Sequence, residues 1–125
     1  MKWFGRREAV ALAGAAIVLI AAGHLGLTRA LGAHPFWALK VVWVGLAAGV
    51  VIYGLSCLWS GGWWAKLVLA GIGLGASYGV ASLGKARFAA SYAEDFLAGR
   101  MWYFGWMAVS CFAFVVLALL MSRRE

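Results

Sequence analysis

The 125-residue chain contains no Asn and no Gln, and only four Asp or Glu. None of the four acidic residues falls inside a long apolar run. Glu8 borders the first run, Glu94 and Asp95 share a joint, and Glu125 closes the sequence. Proton-coupled and cation transporters usually hold an ionisable or carboxamide group at mid-membrane, so this shortage argues against coupled transport. It argues equally against intramembrane proteolysis and lipid-kinase chemistry. No phosphate loop, nucleophile elbow or HExxH run occurs. No carboxylate or cysteine is placed to complete a metal site beside a histidine, so no metal is expected.

Cysteine is scarce as well. Cys57 lies near the end of one apolar run and Cys111 near the middle of another. In a four-span bundle their depths differ by about 12 Å at helical rise. A disulfide tolerates a Cα separation of about 7 Å at most. Both are expected to be small buried hydrophobes.

What the chain does have is apolar length. Hydrophobic residues make up 66% of it and charged residues 12%, too little charge to cover a water-soluble domain of this size. Four apolar runs occupy about 9–27, 36–59, 67–84 and 101–121. A helix rises about 1.5 Å per residue, so roughly 20 residues cross a hydrocarbon core of about 30 Å. The runs lack the polar–apolar alternation of barrel strands and are twice as long. The expected fold is an all-α integral membrane protein, one membrane domain over 1–125. Its four transmembrane helices form an up-down bundle, with a short interfacial helix between spans 3 and 4. Gly32 and Pro35 break the first joint. Ser60, Gly61 and Gly62 form a tight turn that predicts an antiparallel hairpin of spans 2 and 3.

The segment from Met1 to Glu8, followed by an apolar run, resembles a secretory signal, and Arg6-Arg7 a twin-arginine one. A retained signal-anchor that became span 1 is the expectation. Aromatics mark two headgroup belts. Trp3, Phe4, Trp59, Trp63 and Trp64 form one; Phe36, Trp37, Trp102 and Tyr103 form the other. Trp43 and Trp106, further inside, are candidates to pack on neighbouring helices.

The net charge is +7, but the 11 Lys and Arg are spread over the helix ends, which suits anionic headgroups rather than nucleic acid. Lys2, Arg6, Arg7, Lys66, Arg123 and Arg124 fall on the terminal side. Arg29, Lys40, Lys85, Arg87 and Arg100 fall on the other. The flank of the first helix places both termini in the cytoplasm of a bacterial inner membrane. So small a bias also permits dual topology.

Candidate functional residues fall into three groups. Gly71, Gly75 and Gly79 on span 3, and Gly45 and Gly49 on span 2, are spaced by four. Such rows let a neighbouring backbone approach closely, within the bundle or in a partner. In the joint over 85–100, Phe88, Tyr92 and Phe96 recur every four residues and Glu94 and Asp95 fall off that line. This predicts a flat amphipathic helix able to dock a partner subunit. His24, Arg29 and Lys40 are the candidate contacts for a quinone or an anionic substrate. Lys40 and Lys66 are each expected to stretch their stems to the headgroups. A haem would need two opposed histidines, and His34 lies in a joint.

Small four-span multidrug transporters share the size and span count. Their working carboxylate in the first span has no counterpart here, because Glu8 sits at the border beside Arg6 and Arg7. The expected function is therefore a non-catalytic accessory subunit of a larger membrane complex. Its partners would be membrane lipids and either other subunits or further copies of itself, with no nucleic acid. No cofactor is expected beyond a lipid, quinone or pigment at the periphery. The alternative is a small homo-oligomeric transporter or channel.

Overall fold

The structure is a computed structural model that describes residues 5–34, 37–92 and 94–122. Lys2, Trp3, Phe4, Pro35, Phe36, Arg123 and Arg124, which figured in the expected belts, joint and charge balance, lie outside the described residues.

The described residues form five helices and no strand: α1 (Arg6–His24), α2 (Leu27–Leu31), α3 (Ala38–Leu58), α4 (Trp63–Ala90) and α5 (Phe96–Met121). All but α2 are long and apolar enough to cross a membrane. α1 opens with Glu8 in its first turn, where Oε1 accepts a hydrogen bond from Gly5 N at 2.8 Å. The carboxylate thus satisfies a backbone donor near a helix start and complements the helix dipole. The apolar run does not continue as one helix to residue 27. Gly26 adopts φ +86°, a left-handed conformation that costs glycine nothing, and the chain turns there into α2. Thr28 Oγ1 donates to Ala38 O at 3.2 Å and ties α2 to the first turn of α3.

The interfacial helix expected over 85–100 is not a separate element. α4 runs on through Lys85 to Ala90, and α5 has already begun at Phe96. Between them Tyr92 takes φ +56°, which no α-helix accommodates. Ser91 Oγ donates to Phe88 O at 2.9 Å and accepts from Asp95 N at 2.9 Å, while Asp95 Oδ1 accepts from Ala98 N at 3.0 Å. The joint is two capped helix ends meeting at a tight turn. Asp95→Ala should remove the cap and lower stability by about 1 kcal/mol. Thermal unfolding in detergent reads this directly, and an unchanged midpoint would show that Asp95 does not hold the helix start.

α5 is the centre of the assembly. α1, α3 and α4 all pack on it, and α4 packs extensively on nothing else. Half of the apolar window of α5 is buried, against 22% of that of α4. Glycines set both closest approaches. A Cβ on Gly45 would come within 2.7 Å of Met107 O and 2.8 Å of Cys111 N, and one on Gly49 within 2.8 Å of Phe114 Cδ2. Both residue numbers rise together, so α3 and α5 run parallel. On the other side, a Cβ on Gly84 would come within 2.6 Å of Ala98 O, and one on Gly105 within 2.9 Å of Ala81 Cα. There the numbers run oppositely, so α4 is antiparallel to α5. The predicted tight turn does join α3 to α4, but α5 takes up the packing face of each.

The main core cluster gathers Ala15 and Leu19 of α1, Val42 and Tyr53 of α3, and Phe114, Val115 and Ala118 of α5. A second cluster at the other end joins Val41, Ala81, Trp106 and Val109. Trp106 is therefore core, as its position suggested, whereas Trp43 is half exposed.

Candidate functional site

The two glycine rows have the same spacing and opposite surroundings. Gly45 and Gly49 are buried against α5. Gly71, Gly75 and Gly79 are exposed, and a Cβ on any of them would meet no atom within 4 Å. Gly75 and Gly84 are nine residues apart, two and a half helical turns. Gly84 faces α5, so Gly75 faces directly away from it. α4 thus presents to its surroundings an outer face lined by three glycines in register, with exposed Val68 and Ile72 beside them. In lipid, a face of this kind allows close backbone contact between helices.

The expected docking residues are dispersed by the turn at Tyr92. Phe88, on the last turns of α4, leans toward Trp102 with ring centroids 6.0 Å apart. Tyr92 and Phe96 are 92% and 74% exposed, so these aromatics do not form one continuous face with Phe88. Glu94 is exposed and Asp95 is committed to capping α5.

His24 and Arg29 are both exposed, on α1 and α2. Lys40 is exposed on α3, its Nζ 5.9 Å from the Tyr103 ring centroid, at the outer limit of a cation–π contact. Around it lies an aromatic cluster: Trp37 meets Trp102 edge-on at 5.3 Å and Tyr103 at 5.0 Å. Trp102 Nε1 donates to Gly32 O at 2.9 Å, which pins α5 to the end of α2. At the opposite end Trp63 Nε1 donates to Leu119 O at 2.8 Å. Two of the belt tryptophans therefore fasten helix ends together through their indole N–H groups.

Sequence reasoning missed one polar group. Glu8, placed at the border, is only 6% exposed. The side chains around Tyr53, itself 2% exposed, include Ser122 and Cys57, with Glu8 nearby. The signal was available: a Glu three residues after the residue that precedes a helix is a capping pattern. Among the described residues, Ser77 and Ser110 are buried hydroxyls in the interiors of α4 and α5. Ser77 Oγ donates back to Gly73 O at 2.7 Å. Ser110 Oγ is buried beside Gly45 with no hydrogen-bond partner. Among the described residues no three His, Cys, Asp or Glu side chains gather closely enough to hold a metal ion, and both cysteines are free thiols.

Four helices long and apolar enough to span, packed round the last of them, are compatible with an integral membrane protein of the helical class. Comparison with protein-family models, with curated proteins and with solved structures finds no match to this chain.

Proposed function

We propose that this protein is a non-catalytic accessory subunit of a larger membrane complex. Its four long helices cross a bacterial inner membrane alternately, with both termini in the cytoplasm. The observation that carries the reading is the outer face of α4. Gly71, Gly75 and Gly79 stand in line there with nothing against them, on a helix that packs mainly on α5. Glycine weakens a helix, and an exposed row gains nothing from lipid tails that a larger side chain would not gain better. A partner backbone seated on that row accounts for it. The exposed cations and aromatics at the helix ends suit contact with headgroups rather than an enclosed substrate site.

The test is purification in mild detergent of the unmodified protein and of Gly75→Leu. The substitution should reduce stoichiometric partner recovery by about tenfold or more, equivalent to about 1.4 kcal/mol. The melting temperature of the isolated subunit should not fall, since the new side chain meets no neighbour and leucine favours the helix. Equal recovery from both would remove the glycine face as the partner site. The same row also fits a second copy of this chain, the arrangement a small transporter or channel would need. In that case Gly75→Leu would halve the particle mass instead of releasing a different protein.

A further inference from the structure

A groove runs between the C-terminal end of α3 and the N-terminal end of α4, where the two helices part around α5. It encloses a cavity of about 300 Å³. Its floor is buried and wholly apolar: Ala70, Val115 and Leu119 are each at most 5% exposed. Its rim carries Leu55 and Leu69, both more than half exposed, so the groove opens sideways toward the surroundings of the helices. Two polar residues line it, Ser56 and Lys66. The Ser56 hydroxyl is already committed, donating to Tyr53 O at 2.6 Å. Lys66 has no carboxylate at ion-pair distance among the described residues and stands one turn inside Trp63. The same end of the protein carries Arg6 and Arg7 against the one carboxylate of Glu8, so the described charge there is net positive.

We propose that this groove holds one acyl chain of an anionic phospholipid, whose phosphate pairs with Lys66 Nζ. Size argues for a lipid chain over a partner helix. The α3 wall runs from Ile52 to Trp59, about two helical turns. A helix about 10 Å across is too wide to enter a groove whose cavity is about 300 Å³ and could only lie over its mouth. A single hydrocarbon chain is thin enough. Charge argues for an anionic headgroup, because an ammonium at the mouth of an apolar cleft, with no carboxylate at ion-pair distance among the described residues, attracts phosphate. The groove lies on the α5 side of α4 and the glycine row on the opposite side, so this site is independent of the partner face proposed above.

The experiment is spin-label resonance on the full chain in phosphatidylcholine vesicles, with labelled phosphatidylglycerol and labelled phosphatidylcholine as probes. The motionally restricted fraction should favour phosphatidylglycerol by about fivefold, the worth of one basic residue near the surface. Lys66→Gln should bring the two lipids to parity, and Lys66→Arg should keep the preference. Ala70→Phe, or Leu69→Trp if the first unfolds the protein, should abolish it by filling the cleft. Excess inorganic phosphate should leave it intact. Equal retention of the two lipids by the unmodified protein overturns the proposal, as does a preference that survives Lys66→Gln. A preference lost to phosphate, or untouched by filling the cleft, overturns the seating of the acyl chain.

Discussion

Gly45→Leu is expected to lower the stability of the folded protein by about 3 kcal/mol, the upper part of the range for overpacking a closed contact. The reason is that its Cβ would press on backbone. Met107 O and Cys111 N lie 2.7 and 2.8 Å from where that atom would be, and the Ser110 Cβ is closer still. A flexible side chain can swing aside, but the backbone of a helix gives way only if α3 and α5 separate. Separation would also open the contact at Gly49, one turn further along. The control is Gly75→Leu, which adds the same side chain to an exposed position and should change stability by no more than about 0.5 kcal/mol. Equilibrium unfolding of both variants in detergent measures the difference. Similar losses would mean that α3 and α5 are not in the close contact described.

Phe114→Ala should cost about 3–5 kcal/mol. Phe114 is fully buried at the point where α1, α3 and α5 meet, its ring edge against Gly49 and its neighbours in the core cluster drawn from all three helices. Lipid provides no hydrophobic drive for this packing, so the loss is mainly of dispersion contacts around a void that cannot refill. Phe104 on the same helix is 57% exposed. Phe104→Ala should therefore be close to neutral, since lipid tails replace the ring. If the two substitutions proved equally damaging, or equally mild, α5 would not be the buried centre of the fold. Unfolding midpoints of the paired variants, followed by circular dichroism, decide it.

The four helices long and apolar enough to span a membrane were legible in the sequence because apolar length is a local property. The runs at 36–59 and 101–121 lie close to α3 and α5. What hydropathy did not reveal was where a helix stops once it leaves the apolar stretch. Lys85 to Ala90 lower the hydropathy of α4 without breaking it, since Lys, Ala and Arg are good helix formers. The stop is made by Tyr92 and the Ser91–Asp95 caps, and the four-residue spacing of Phe88, Tyr92 and Phe96 hides it. The glycine rows show a second limit. Spacing by four placed Gly71, Gly75 and Gly79 on one face, but gave no indication of which way that face points. In a soluble helix the apolar side names the core. Here both sides are apolar, so Gly45 and Gly75 look alike until α5 is seen to lie against one and not the other. Glu8 does stand at the border of the first helix, as its place beside the apolar run implied, but its burial was not legible there and comes only with the fold.

The central position of α5 bears on how the molecule is made. Of the four long helices it is the last to leave the ribosome. Until it arrives α4 has no extensive surface to lean on, and α1 and α3 share only a limited contact. Chains are synthesised at about 5–20 residues per second, so the earlier helices precede α5 by seconds. Neither set of glycine contacts can close before the segment after Asp95 is made, because α5 is a member of both. Any quality-control protease that surveys nascent chains would meet this one loosest just before α5 joins the other helices.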